Sequence, residues 1–75
     1  MQVSDLKIGH KVRIVSLSAG SKVYRHRLLA MGLVPGTEFV VSRMAPLNDP
    51  IEILVRGYAL SIRKSEAGIL QIEEI

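Results

Sequence analysis

A glycine or proline interrupts this chain about every ten residues, at Gly9, Gly20, Gly32, Pro35-Gly36, Pro46, Pro50, Gly57 and Gly68. The elements between these breaks must be short. Val, Ile and Leu dominate them, and β-branched residues favour strands. Short strands set close together by turn residues are the pattern of a small sandwich or barrel. The 75 residues allow one domain, 1–75, and 48% of them are hydrophobic, enough for a core. A chain this short buries only about 60% of its unfolded surface, so the margin of stability is thin.

Residues 4–8 read as a lead-in turn anchored by Leu6 and Ile8. Lys11–Leu17 is the first expected strand, with Val12 and Ile14 alternating with Arg13; Val15 and Leu17 blur the two-residue period. Ser21 suits a helix N-cap, and a helix is expected over Lys22–Met31 with Tyr24, Leu28 and Met31 on one face. Gly32 ends it in the left-handed conformation, and Leu33 is then placed to pack on Leu28. Val34-Pro35-Gly36-Thr37 has Pro and Gly where a type II turn requires them. A second strand follows over Glu38–Met44, with Phe39 and Val41 on one face. Ala45–Pro50 must be a loop, because prolines and Asn-Asp cannot continue a ladder. Ile51–Val55 and Tyr58–Arg63 read as a hairpin across Arg56-Gly57, a type I′ turn, with Ile51, Ile53, Val55, Leu60 and Ile62 inward. One helical turn over Lys64–Gly68 and a closing strand over Ile69–Glu73 complete the chain. The fold class is mostly β: a small five-stranded SH3-like barrel with one α-helix inserted after the first strand.

Chemistry is sparse. Cysteine is absent, which removes disulfides, zinc knuckles, iron–sulfur centres and a thiol nucleophile, and suits a reducing compartment. His10 and His26 are sixteen residues apart, with no metal-binding spacing between them. Met31 and Met44 sit at apolar positions and read as core rather than as soft-metal ligands. The carboxylates are scattered, no G-x-S-x-G elbow surrounds a serine, and no glycine loop could cradle phosphate. No catalytic residues, no metal ligands and no tightly held cofactor are expected. No signal peptide and no membrane-spanning run is visible, so the expected location is the cytoplasm.

Two features remain. The Ala45–Pro50 loop is stiffened by Pro46 and Pro50, offers Leu47 as an apolar tip and adds the charge of Asp49; a stiff loop loses little entropy on docking. The helix carries a basic band of Lys22, Arg25, His26 and Arg27, and the net charge is +3. Pro46, Leu47, Asp49, Pro50, Lys22, Arg25 and Arg27 are therefore the candidate partner-binding residues.

The run RHRLLAMGLVPGTEF at 25–39, the loop APLNDPIEI at 45–53 and RGYALSIRKSEAGILQI at 56–72 together resemble the FeoA family of bacterial ferrous-iron transport. The resemblance spans nearly the whole chain. It implies an SH3-like barrel related to the C-terminal domain of diphtheria-toxin-repressor-type regulators. An association with a transition metal, iron, is implied by this resemblance alone, and so is a partner: FeoB, a membrane permease with a cytoplasmic GTP-binding domain. The matching positions are Leu28, Gly32, Leu33, Pro35, Gly36, Pro46, Asp49, Pro50, Gly57 and Leu60. Leu28, Gly32, Leu33, Pro35, Gly36, Gly57 and Leu60 are read as fold-defining, and Pro46, Asp49 and Pro50 as functional. Asn48 stands where the family commonly has glycine, and asparagine tolerates the same backbone conformation.

The resulting expectation is a non-enzymatic accessory protein that docks on FeoB and modulates its assembly or GTPase-linked transport. It is expected to be monomeric, with weak self-association at most, and not to insert in the membrane. The alternatives are a small basic nucleic-acid-binding barrel and a freestanding metal sensor. The first calls for stacking aromatics on the sheet, and with Phe39 reading as core only Tyr24 and Tyr58 remain. The second needs ligands that His10, His26 and Asp49 do not assemble.

Overall fold

The computed structural model describes residues 6–18, 20 and 22–75, apart from the side chain of Asn48. Its elements are β1 (Lys11–Leu17), α1 (Lys22–Ala30), β2 (Glu38–Met44), β3 (Ile51–Val55), β4 (Tyr58–Ile62), α2 (Lys64–Ala67) and β5 (Leu70–Glu74), with a 3₁₀ turn over Pro46–Asn48. The expected Ser21 cap lies outside the described residues.

The five strands form one antiparallel sheet in the order β4-β3-β2-β1-β5. Alternation decides which side of each strand is buried. Val12 and Ile14, Phe39 and Val41, and Ile51, Ile53 and Val55 all face one core. Leu28, Leu33, Ile62 and Leu70 close it. Burying a Leu, Ile, Val or Phe side chain contributes roughly 1.5–3 kcal/mol. These side chains therefore oppose the chain entropy of a domain with few other resources.

The blurred period of β1 has a local cause. The β1–β5 register shifts between Ile14 and Ser16, and the intervening Val15 turns outward, 52% exposed. A second shift falls between Val41 and Arg43. The β3–β4 hairpin turns with Arg56 at φ 51° and Gly57 at φ 85°, the two positive values that a type I′ turn requires.

The end of α1 follows from Gly32, whose φ is 89°. Leu33 N–H donates to Leu28 O at 3.0 Å and Gly32 N–H to Leu29 O at 3.0 Å, which satisfies two carbonyls left over at the helix end. Leu28 and Leu33 are both fully buried beneath this cap. The turn that follows closes through Thr37 N–H and Val34 O at 3.0 Å, and Thr37, buried despite its hydroxyl, donates that hydroxyl to Gly32 O at 3.2 Å.

Four details differ from the sequence expectation. Ile8 is 63% exposed and anchors nothing, whereas Leu6 is buried. α1 stops at Ala30 because Met31 already belongs to the cap, its N–H shared between Arg27 O and Leu28 O. β4 stops at Ile62 because Arg63 N–H is taken by Glu66 Oε1, which starts α2. β5 begins at Leu70 and runs to Glu74, since Ile69 N–H is still bonded to Glu66 O. Leu60, Met31 and Met44 are packed on the core but only partly buried.

Candidate docking surface

The 45–50 loop is closed at its base by Ala45 N–H donating to Pro50 O at 3.1 Å. The 3₁₀ turn inside it begins at Pro46, which fixes φ and has no N–H to satisfy. Leu47 then adopts φ 68°, ψ 14°, a left-handed conformation that a branched side chain rarely takes. Its side chain is 92% exposed at the loop tip. The Asp49–Pro50 peptide bond is cis. Asp49 Oδ1 accepts the backbone N–H of Lys64 at 3.0 Å, so this carboxylate ties the loop to the start of α2.

α2 in turn is tied to α1. Glu66 Oε2 accepts a hydrogen bond from Arg27 Nη1 at 3.1 Å, and Oε1 accepts Arg63 N–H at 3.2 Å. The second contact is the carboxylate half of a capping box; an arginine at the cap position offers no oxygen for the other half. The loop, α2 and α1 are therefore one connected surface. Of the predicted residues, Leu47 and Pro46 project outward, Asp49 and Arg27 are held by internal bonds, and Pro50 is half-buried. Lys22, Arg25 and His26 are exposed along α1. Beside them Val23 is 67% exposed, an apolar member of this face that the charge pattern alone did not reveal. Glu66 was also missed as an organising residue. The available signal was its position at the third residue of a short helix ahead of the apolar run Ala67 to Leu70.

A charge cluster lies across β1, β2 and β5. Arg13 lies between Glu73 (3.0 Å) and Glu38 (3.4 Å), and Lys11 also reaches Glu38 at 3.6 Å. The hydrogen bond to Glu73, then that to Glu38, raise the Arg13 pKa further above its already high ordinary value. His10 Nδ1 accepts Lys7 N–H at 3.2 Å and lies 3.7 Å from Glu74 Oε1. Among the described residues no three His, Asp or Glu side chains gather as a metal site, and no pocket opens. No described helix is long and apolar enough to cross a membrane. The three aromatic side chains serve the fold: Phe39 is in the core, Tyr24 packs against it, and Tyr58 Oη donates to Met31 O at 3.3 Å.

The fold and its sequence have clear relatives. A curated relative in Porphyromonas gingivalis, a fusion of Fe(2+) transport protein A with the Fe(2+) transporter FeoB, is 36% identical across all of this chain. The chain spans 9% of that protein's length. The solution structure of a FeoA-like protein from Clostridium acetobutylicum matches all of this chain and 86% of its own, with 39% identity and a TM-score of 0.90. Stenotrophomonas maltophilia FeoA, an SH3 domain protein crystallised with zinc and described in terms of ferrous-iron transport activation, shares the fold. It has a TM-score of 0.75 over 97% of this chain and 89% of its own, at 23% identity. The architecture is thus the SH3-like one that the turn spacing led us to expect. The FeoA domain model matches residues 1–74, the run that holds the helix cap, the proline loop and both hairpin strands, and the chain belongs to the FeoA family.

Proposed function

We propose that this domain is a non-catalytic accessory of bacterial ferrous-iron uptake, which docks on the cytoplasmic part of a FeoB permease and modulates its assembly or GTPase-linked transport. The observation that carries this reading is the relative in which a stretch alignable with this entire chain is joined to FeoB. Fusion holds two modules at high effective concentration, an arrangement useful to modules that act on each other. The surface formed by the 45–50 loop, α2 and α1 supports the same reading. It presents a rigid apolar tip and a row of exposed cations, the two features that anchor and steer an encounter. Iron is the cargo of the transporter here, and the domain itself works as a shaped surface on the cytoplasmic side.

The test is capture of detergent-solubilised FeoB by the immobilised domain, with GTP analogue, with GDP and without nucleotide. Binding in at least one state is expected. Absence of binding in all three, with the domain shown to be folded, refutes the proposal.

A further inference from the structure

We infer that β4 is a docking strand: its free edge accepts an extended segment of a partner protein, uncharged along its middle and acidic at both ends, as an added antiparallel strand. This rests on the reading that the domain docks on another protein, and it specifies how.

β4 and β5 are the two ends of the sheet, and they differ in protection. β5 carries Glu73 and Glu74, charges that discourage a further strand. β4, Tyr58-Ala59-Leu60-Ser61-Ile62, has no charge and no proline. Its pairing with β3 runs from Val55↔Tyr58 to Ile51↔Ile62 without a shift, so no bulge interrupts the edge. Within the sheet β3 is its neighbour, and Tyr58 at its start also reaches Met31 O through its hydroxyl. In a two-residue hairpin, the residues flanking the turn exchange both backbone hydrogen bonds. Tyr58 therefore faces β3, and Ala59 and Ser61, both exposed, turn their N–H and C=O groups outward. These are the groups that an added strand would pair with.

Charge selects the occupant. Arg56 stands at one end of β4 and Arg63 and Lys64 at the other, all exposed. The carboxylates around them are already engaged: Asp49 accepts Lys64 N–H, Glu66 pairs with Arg27, and Glu52 accepts from the Ser42 hydroxyl. A second copy is a poor fit. The fully overlapping two-fold pairing centres on Leu60 and sets Arg56 opposite the second copy's Lys64, twice over, and like charges directly opposite destabilise a ladder. An incoming strand with carboxylates at both ends meets a cation at each.

The experiment is a titration of the labelled domain with the blocked peptide Glu-Glu-Val-Thr-Val-Thr-Val-Glu-Glu, followed by amide shifts and hydrogen exchange. A control peptide has every Glu replaced by Lys. Expected are shifts centred on Ala59 and Ser61, slowed exchange at those two amides, and affinity for the Lys peptide at least about tenfold weaker. Ser61→Pro should abolish binding, since its N–H faces outward and its loss leaves the β3 ladder intact. Should that variant misfold, Arg56→Glu with Arg63→Glu keeps the backbone and should invert the preference between the two peptides. The inference is overturned by no binding at about 1 mM, by equal affinity for both peptides, by shifts confined to α1 and the 45–50 loop, or by a dimer formed through β4. Capture of FeoB by wild type and by Ser61→Pro in equal measure removes this inference while leaving the docking reading intact. Failure of the wild type to capture FeoB removes the docking reading instead, and the peptide titration still decides the edge.

Discussion

Arg27 reaches from α1 to a carboxylate on α2, its Nη1 3.1 Å from Glu66 Oε2, and the two ends of that bond differ sharply in exposure, 60% for the Arg27 side chain and 5% for that of Glu66. A pair between two exposed groups contributes little, about 0–1 kcal/mol. Here the buried end decides. Removing Arg27 leaves a carboxylate out of water with one remaining partner among the described residues, Arg63 N–H. Arg27→Ala should therefore cost about 1–3 kcal/mol in urea unfolding. Glu66→Gln, which removes the charge but can still accept Arg63 N–H, should cost less. Equal losses from the two variants, or none from Arg27→Ala, would show that the carboxylate is better hydrated than this.

Gly32→Ala isolates the cost of a backbone conformation. A Cβ at Gly32 would meet Tyr58 Oη at 3.7 Å, an ordinary contact, so there is room for it. The penalty comes from φ 89°, and left-handed backbone costs an L-residue about 1–2 kcal/mol. A fall in Tm of roughly 4–8 °C per kcal/mol is expected for a domain of this size. Gly20→Ala should also destabilise, but by contact: its Cβ would fall 2.9 Å from Ile69 Cγ2. Trimming Ile69 to Ala removes that Cγ2, so in an Ile69→Ala background Gly20→Ala should cost almost nothing further, whereas Gly32→Ala should keep its full cost.

What could be read from the sequence was what neighbouring residues decide among themselves. Gly32-Leu33 forms its cap, Arg56-Gly57 its hairpin turn, and Pro46 its stiff loop, because each depends on a few adjacent backbone angles. What could not be read depends on distant partners. The bulge at Val15 exists because β5 pairs with β1, a relation invisible in the run KVRIVSL. Glu66 looked like one of several scattered carboxylates because Arg27 is 39 residues away. Asp49 looked like a free loop charge because the amide it holds is 15 residues on. The candidate surface was thus legible as two separate stretches, and only the folded chain joins them through α2.

Arg13 permits a pH prediction with a definite sign. Glu73, then Glu38, raise its folded-state pKa above the unfolded value. A raised pKa gives a contribution that is complete below the unfolded pKa and is lost only as pH rises through the folded one. Both lie far above neutrality. The Tm difference between wild type and Arg13→Met should therefore be constant from about pH 7 to 10. It should shrink as sodium chloride rises from about 0.05 to 1 M, since the cluster is exposed and the Debye length falls to roughly 3 Å. A difference that tracks pH across that window, or ignores salt, contradicts the assignment.

Leu47 separates stability from docking. At φ 68° and 92% exposed, it carries the backbone cost of a left-handed residue and buries almost nothing in return. Such a conformation persists in a leucine only at an energetic cost of about 1–3 kcal/mol, and strain of that kind tends to collect at functional sites. Leu47→Asn should raise stability by about 0.5–1 kcal/mol, because asparagine tolerates the left-handed region and no packing is lost. The same change should weaken FeoB capture, since the apolar tip is gone while the loop keeps its Ala45–Pro50 and Asp49–Lys64 bonds. Urea unfolding and capture measured on one preparation give both quantities. A variant that is more stable and captures FeoB as well as the wild type would remove Leu47 from the docking surface, and a less stable one would show that the tip is packed rather than strained.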